Sequence, residues 1–404
     1  MSPVSDAPPA TDRSGTSLDE VLAAALGRLT HAGLRRTLES AERRRPGTVT
    51  IAGRELVDFA SNDYLGLAAD ARLRDAARDA LEDAALGAAA ARLIAGNHPL
   101  HGALERDLAA FKRTEAALLF SSGYAANIGT IPALVGRRDA VYGDALNHAS
   151  LIDGCRLSGA DFRSFPHGDT DALAALLDAD RGQHRRRLIV VDGVFSMDGD
   201  IAPLEKLVPL ARAANAWLYV DDAHATGVLG AHGRGSAEHC GVEGEIDVVM
   251  GTLGKALGTV GAFVCGSRSL VDYLTNRARA FVFTTGTPPA LAAAASAAVQ
   301  IAQTEDWRRT RLRSNARRMR NGLRALGVTL SGPDDGHIVP IVVGDAARAV
   351  HLGATLRTRG FLVGAVRPPT VPLGGSRLRL SLSAAHTDAQ IDAVLGALSE
   401  TLSA

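Results

Sequence analysis

Short apolar runs and longer amphipathic stretches alternate along most of the chain. Ser17 is followed three residues later by Glu20, the pattern of a capping box, which predicts a helix beginning after Ser17. Between residues 60 and 290, apolar runs such as 188–191 and 218–220 alternate with helical stretches such as 203–214. This alternation predicts an α/β fold whose mainly parallel sheet is covered by helices on both faces.

The pattern changes near residue 291. A helical stretch continues there through an arginine-rich segment, 308–324, in which Leu312, Met319 and Leu323 recur; they favour an amphipathic helix over a nucleic-acid-binding arm. A strand over 338–342, a helix near 346–359, a strand over 378–382 and a final helix follow. We therefore predict a disordered tail (1–16), an N-terminal helical segment (17–59), a large domain (60–290) and a small C-terminal α+β domain (291–404).

Composition narrows the class of protein without identifying it. The 404 residues are 46% hydrophobic with a net charge of +0, which is typical of a globular protein and gives no reason to expect nucleic acid or an anionic membrane as a partner. Cys155, Cys240 and Cys265 are scattered without metal-ligand spacing, so we expect reduced thiols in a cytoplasm and no metal site. The uncharged run 281–304 is interrupted by Thr284–Pro289, which predicts a packed helix rather than a membrane span.

The chain contains three lysines beside 41 arginines. Lys112 and Lys206 lie in amphipathic patterns that predict solvated helix faces. Lys255 instead lies between glycines after the apolar run 246–250, where a buried strand would end. The glycine spacing is too short for a nucleotide-binding P-loop, and Ala256 replaces its hydroxyl residue. The other common role for such a lysine is a Schiff base with a carbonyl, which suggests pyridoxal phosphate.

A carboxylate lies where such a cofactor would need one. Asp221 ends the apolar run 217–220, so neighbouring strands would bring it and Lys255 to the same edge of a sheet. A buried carboxylate at this position would keep the pyridine nitrogen of the cofactor protonated. A simple capping aspartate remains an alternative for Asp221 taken alone.

Three further positions fit a phosphate or a ring, each beside a simpler interpretation. Ser122, Gly123 and Tyr124 open a helical stretch whose N-terminus would attract a phosphate, although an ordinary strand-to-helix turn explains them as well. Thr252 precedes Lys255 by three residues and would offer a hydroxyl to the same phosphate. His148, taken alone, is most simply a loop histidine with satisfied hydrogen bonds.

Eight short blocks, spread between residues 61 and 372, carry a resemblance that extends over nearly the whole chain. They are Ser61–Leu67, Gly96–His101, Phe120–Asn127, Asn147–Ser150, Val194–Asp200, Asp221–His224, Gly251–Lys255 and Arg367–Pro372. Together they resemble the α-oxoamine synthase family of fold-type I pyridoxal phosphate enzymes. The resemblance implies a mainly parallel seven-stranded sheet, pyridoxal phosphate as cofactor and a homodimer with shared active sites.

The resemblance also implies roles for individual residues. Lys255 would hold the cofactor and transfer protons, Asp221 would face the ring nitrogen, and His148 would stack on the ring. Ser196 and His224 would lie near the ring 3-hydroxyl.

The remaining implied contacts involve the partner subunit and the substrates. Thr284 or Thr285 would reach the phosphate of the other subunit's cofactor. The implied substrate contacts are Asn62 and Arg379 for the amino acid carboxylate, with Arg35 and Thr370 for the acyl chain.

The implied activity is a decarboxylative condensation of L-alanine with pimeloyl-CoA, or with a pimeloyl-carrier protein, in biotin biosynthesis. The alternatives are a sister enzyme that uses glycine or serine with another acyl-CoA, and a non-catalytic partner subunit. Two departures from the family pattern affect substrate selection: an alanine-rich Gly87–Arg92 segment, and Asp192 where many relatives have glutamate.

Overall fold

A computed structural model describes residues 17–403. The predicted tail over 1–16 lies outside the described residues. The helices are α1 (Leu18–His31), α2 (Ala71–Asp83), α3 (Pro99–Lys112), α4 (Gly123–Leu134), α5 (Ala149–Ser158), α6 (Thr170–Ala179), α7 (Leu204–Ala213), α8 (Ser236–His239), α9 (Arg268–Arg277), α10 (Arg279–Val282), α11 (Pro289–Thr304), α12 (Asp306–Ala325), α13 (Ala346–Thr358) and α14 (Asp388–Ser403).

The strands form three sheets. They are β1 (Ala41–Arg45), β2 (Thr48–Ile51), β3 (Arg54–Asp58), β4 (Ala116–Phe120), β5 (Ala140–Asp144), β6 (Asp161–Phe165), β7 (Arg187–Asp192), β8 (Trp217–Asp221), β9 (Val248–Thr252), β10 (Ala262–Gly266), β11 (Ile338–Gly344), β12 (Phe361–Leu362), β13 (Gly364–Val366) and β14 (Ser376–Ser381).

The central sheet has seven strands in the order β4-β10-β9-β8-β7-β5-β6. Only β10 runs antiparallel to its neighbours, and hydrophobic clusters pack on both faces. The predicted α/β fold with a mainly parallel seven-stranded sheet is therefore confirmed. Because β7, β8 and β9 are parallel, their carboxyl ends lie at one edge, with Asp192 opposite Asp221 in register.

The N-terminal segment is only partly helical. The capping box at the start of α1 is formed, since the Ser17 hydroxyl accepts from the Glu20 backbone N–H and the Glu20 carboxylate accepts from that of Ser17. The prediction of a helical segment over 17–59 is wrong for 41–58, which forms β1–β3. Gly47 and Gly53 have φ values of 76° and 70°, and these left-handed turns let the strands pair.

Residues near the C-terminus form a three-stranded antiparallel sheet with the order β11-β14-β13. The strands β11 and β14 and the helix α13 confirm the predicted strands and helix of this region. Helix α12 buries Leu312, Met319 and Leu323, as expected from its amphipathic pattern. The division into large and small domains stays a prediction. No helix within residues 17–403 is long and apolar enough to cross a membrane.

The two ordinary-looking lysines differ. Lys206 is exposed, as predicted. The prediction of a solvated face for Lys112 is wrong, because its side chain is 2% exposed and its Nζ atom lies 2.9 Å from Asp222 Oδ2. It also donates to the Arg234 carbonyl. The C-terminal end of α3 packs against the turn after β8, a contact between residues 110 positions apart that helical periodicity does not reveal.

Candidate active site

The carboxyl ends of β8 and β9 bring together the lysine and the carboxylate that the sequence singled out. Asp221 ends β8, and Lys255 follows β9 by three residues. The Lys255 Nζ atom lies 2.9 Å from Nε2 of His224, which follows Asp221 in the same turn. The edge of the parallel sheet thus carries an amine, an imidazole and a carboxyl group within one site.

Lys255 has the electrostatic environment of a reactive amine. Burial lowers its pKa to about 8, although Asp221 and Asp192 oppose this shift. No carboxylate within residues 17–403 forms an ion pair with Lys255 at 4.0 Å or less. About a tenth of the amine is therefore unprotonated at pH 7, far more than for a lysine with the ordinary pKa.

A hydrogen-bonded chain fixes His224. The Tyr64 hydroxyl lies 2.6 Å from His224 Nδ1 and donates to Asn62 Oδ1 over 2.9 Å. Burial holds the His224 pKa well below its usual range, so the ring is neutral. The pattern assigns the proton to Nδ1, which donates to Tyr64, and leaves Nε2 to accept from Lys255.

Asp221 is held by neutral donors. Its carboxylate accepts from Asn127 Nδ2 at 2.8 Å and from the Ala223 backbone N–H at 2.9 Å. The Tyr219 hydroxyl donates to Asn127 Oδ1 over 2.7 Å and fixes the orientation of the amide. Burial raises the Asp221 pKa, while Lys255 and Asn127 oppose the rise. A cationic group beside this carboxylate would stabilise its ionised form.

His148 is linked to Asp221 through side chains. Its Nδ1 atom lies 2.7 Å from the Ser150 hydroxyl, which also accepts from Asn127 Nδ2 at 2.8 Å. The backbone N–H of His148 donates to Asp192 Oδ2 over 2.6 Å. Asp192 thus reaches the loop that carries His148.

Arg379 reaches the same site from β14. Its guanidinium donates to the Ser196 carbonyl over 2.6 Å, to Asn62 Oδ1 over 3.2 Å and to the Ser381 hydroxyl over 2.8 Å. Arg379 is 7% exposed. No ion pair joins it to a carboxylate of residues 17–403, so its charge has only neutral protein partners. Arg379 thus contacts both of the other predicted residues, Asn62 and Ser196.

The residues predicted to face a phosphate, Ser122, Gly123 and Tyr124, lie at the N-terminus of α4. The Ser122 hydroxyl caps the helix by accepting from the Ala125 N–H over 3.1 Å, and Gly123 begins the helix. The Tyr124 hydroxyl donates to Asp153 over 2.5 Å. Thr252, at the end of β9, donates to the Gly261 carbonyl over 3.0 Å.

Four predicted residues lie outside this network. Thr284 and Thr285 lie between α10 and α11, where the backbone of Thr285 pairs with that of Ala91. Arg367 donates to the Arg35 carbonyl over 3.1 Å and its own carbonyl accepts from the Thr370 N–H over 3.2 Å. Arg35 and Thr370 are therefore brought near each other, but no hydrogen bond in the described part of the chain joins any of the four to Lys255.

Sequence reasoning missed three residues of the site. Tyr64 and Asn127 lie inside recognised blocks, and Asn127 was detectable as an amide within an apolar helix. His337 gave no signal. Its ring packs edge-on against Tyr64 with centroids 4.3 Å apart, and burial lowers its pKa to about 3.

The residues present fit pyridoxal phosphate. A buried amine with a lowered pKa suits a bond to an aldehyde, and the buried Asp221 suits a protonated ring nitrogen. The capped N-terminus of α4 suits a phosphate.

Residues 54–398 match the model of the class I and II aminotransferases. The chain belongs to this family. A curated relative from Anaeromyxobacter dehalogenans, named 8-amino-7-oxononanoate synthase, is 53% identical over 381 residues, which cover 94% of this chain and 95% of the relative.

Solved structures of family members support the same relationship. A serine palmitoyltransferase from S. paucimobilis with a bound PLP–myriocin aldimine is 34% identical, covers 95% of this chain and 96% of its own, and has a TM-score of 0.89. An 8-amino-7-oxononanoate synthase from Francisella tularensis is 30% identical, covers 86% of this chain and 98% of its own, and has a TM-score of 0.75.

Proposed function

We propose that the protein uses pyridoxal phosphate to condense L-alanine with a pimeloyl thioester, giving 8-amino-7-oxononanoate, the free thiol and CO₂ in biotin biosynthesis. The observation that carries the chemistry is the Lys255 amine, 2.9 Å from a neutral His224 and with a pKa lowered to about 8. The assignment of the substrates rests on the name that these relatives share, and the relatives are about half identical to the chain.

Residues from several separate segments of the chain would hold the cofactor. Lys255 would bond its aldehyde carbon, Asp221 would pair with its ring nitrogen, and His148 would cover its ring. The implied phosphate contacts are Ser122, Gly123, Tyr124 and Thr252, with Thr284 or Thr285 from the other subunit; Ser196 and His224 would lie near the ring hydroxyl. When bound, pyridoxal phosphate withdraws the electron pair left on the substrate's Cα atom.

Arg379 and Asn62 would bind the carboxylate of the amino acid. The guanidinium is nearly buried and lacks a carboxylate partner within the described residues, so a substrate carboxylate would supply the missing charge. Its bonds to the Ser196 carbonyl and Ser381 hydroxyl hold the planar fork in one orientation. Arg379 would therefore fix the orientation of the bound amino acid and, with it, the position of its Cα atom.

Lys255 would transfer the proton at Cα. The free amine accepts this proton, and the lowered pKa makes it a competent base near neutral pH. The hydrogen bond to His224 orients the amine, while Tyr64 and Asn62 hold the imidazole in one tautomer. After the acyl group has been transferred and CO₂ has left, the resulting ammonium returns a proton to Cα.

Arg35 and Thr370 would contact the acyl donor. Both adjoin Arg367, and the Arg35 side chain has no acidic partner within residues 17–403. A positive side chain here is suited to the free carboxylate of a pimeloyl chain. The thiol carrier, coenzyme A or a carrier protein, is decided by the experiment below.

A homodimer with shared active sites completes the proposal. Leu93, Ile94 and Phe283 are large apolar side chains that are 50%, 82% and 70% exposed. Phe283 directly precedes Thr284, so a second subunit that covers these side chains would also meet the threonines expected to cross between sites. We place the enzyme in the cytoplasm, consistent with three cysteines that form no disulfide.

A sister activity is the second candidate. The serine palmitoyltransferase structure has the higher TM-score, 0.89 against 0.75, so the fold accommodates serine and a long acyl chain in relatives. An inactive partner subunit is disfavoured because Lys255, Asp221 and His224 are all present. Lys255 contacts His224, and Asp221 is held by Asn127.

The test is a matrix of substrates with the purified, cofactor-loaded protein. L-alanine, glycine and L-serine are each paired with acetyl-, succinyl-, pimeloyl- and palmitoyl-CoA, and with a pimeloyl-carrier protein, while thiol release and product mass are measured. Preference for L-alanine with a pimeloyl donor, together with the decarboxylated amino ketone, is expected. Preference for another pair would move the protein to the sister activity, and absence of any product would contradict both.

A further inference from the structure

A histidine outside the proposed machinery bridges two carboxylates. His167 follows β6; its Nδ1 atom lies 3.0 Å from Asp144 Oδ1, and its Nε2 atom lies 2.8 Å from Asp200 Oδ2. The Phe195 ring packs edge-on against it, with centroids 4.3 Å apart. Because both ring nitrogens face carboxylates, both act as donors, and the ring is an imidazolium. The two carboxylates raise the pKa of His167 to about 10.

The two carboxylates belong to different loops of the site. Asp144 ends β5 and begins the turn that carries His148: its carboxylate accepts from the Leu146 N–H over 2.8 Å, and its carbonyl from the Asn147 N–H over 3.1 Å. Asp200 closes the other loop, 196–200.

The 196–200 loop holds the arginine proposed to bind substrate. The Asp200 carbonyl accepts from the Phe195 N–H over 3.0 Å. Ser196 follows Phe195, and its carbonyl accepts from Arg379 over 2.6 Å. The pairing between β5 and β7 ends at Gly143 and Val190, before either loop begins. His167 therefore supplies a direct link between the two loops.

We propose that His167 is a positioning residue that, as an imidazolium, ties the loop of Ser196 and Arg379 to the turn of His148. This inference rests on the proposed function, because it assigns Arg379 to the amino acid carboxylate. A planar ring with donors on opposite sides can span two carboxylates, which a single ammonium group cannot do with the same geometry.

The two ends of the bridge are not equally dependent on His167. Asp144 also accepts from the backbone N–H groups of Leu146 and Gly168. Asp200 forms no other ion pair within residues 17–403, and its buried Oδ1 atom has no hydrogen-bond partner there. Loss of the imidazolium would thus release the Asp200 loop first. The effect should fall on Arg379 and amino acid binding rather than on Lys255.

The experiment compares H167Q, D200N and the double variant with the wild-type holoenzyme. L-alanine, glycine and L-serine are titrated without acyl donor, following the visible absorption and circular dichroism of the bound cofactor. H167Q should weaken amino acid binding about tenfold. In steady state the KM for the amino acid should rise by the same factor, with kcat and the KM for the acyl donor changed less than about twofold.

The double variant and a control separate positioning from stability. If the bridge acts as a unit, H167Q/D200N should weaken binding no more than H167Q alone. H232Q removes another histidine–carboxylate pair, His232 with Glu238, whose histidine is 63% exposed, and should leave amino acid binding unchanged. Thermal unfolding reports whether each variant is folded, and D200N gives the same test if H167Q does not fold.

Unchanged amino acid binding in a folded H167Q or D200N protein would overturn the proposal, as would strictly additive losses in the double variant. The titration needs no acyl donor, so it remains decisive if the donor proves to be another thioester. A wild-type protein that responds to none of the three amino acids would instead contradict the proposed function itself.

Discussion

Two lysines contact the short turn 221–224, and they do so in opposite ways. Lys112 binds the carboxylate of Asp222 and the carbonyl of Arg234, so its ammonium has a permanent acidic partner. Lys255 binds the neutral ring of His224 and has no ion pair within the described residues, and burial lowers its pKa to about 8. Burial is common to both; the partner decides whether the amine is structural or reactive.

The largest effect should come from removing the reactive amine. K255A should lower turnover by about 10³-fold or more, because the proposed base and cofactor attachment are both lost. The fold should persist, since within residues 17–403 the Lys255 side chain hydrogen-bonds only to His224. Turnover and far-ultraviolet circular dichroism provide the two measurements. Full activity in K255A would refute the mechanism.

Removing the structural amine should chiefly affect stability. K112M would leave Asp222, whose side chain is 1% exposed, without its counter-charge, so the free energy of unfolding should fall by about 3 kcal/mol. Urea denaturation measures this change. The double variant K112M/D222N should be more stable than K112M, because the unpaired charge is removed with its partner. A K112M protein as stable as wild type would show that the ion pair is dispensable.

The reactivity of the two amines toward an acylating reagent sharpens the comparison. Below its pKa the Lys255 amine is protonated and not nucleophilic, so its labelling rate in cofactor-free protein should rise about tenfold per pH unit and level off above pH 8. Lys112 should stay unlabelled in the native protein. Peptide mass spectrometry assigns the sites, with exposed Lys206 as the internal standard. Equal labelling of Lys112 and Lys255 would contradict the distinction.

The smallest effect is expected at the third lysine. K206M removes an exposed charge on α7 and should change the free energy of unfolding by less than about 0.5 kcal/mol. Activity should also be unchanged. A large loss of either would mean that Lys206 has a partner in the assembled enzyme.

Local patterns predicted most of the secondary structure. The capping box at Ser17 and the alternation of β7, α7 and β8 are visible in the sequence because each depends on neighbouring residues. The strands of 41–58 were missed because β3 pairs with β12, which lies about 300 residues later in the chain. Strand propensity in a short polar segment is decided by such partners.

The sequence indicated the chemical groups of the candidate site, but not the hydrogen bonds and ring contacts that connect them. Lys255 and Asp221 were detectable because each follows an apolar strand. Tyr64 and His337 were not, since one aromatic or histidine residue in a mixed segment has many possible roles. Tyr64 contacts His224 across 160 positions of the chain, and His337 packs against Tyr64 from a third distant segment.

The sequence by itself determined the alternation of strands and helices, the cofactor class indicated by Lys255 and Asp221, and the family. Tertiary structure decided the protonation states and the partners. It placed Asp222 beside Lys112 and a neutral His224 beside Lys255, and it placed His167 between Asp144 and Asp200. The physical reason is that a pKa depends on burial and on charges a few ångströms away, and those are set by residues that are distant in the chain.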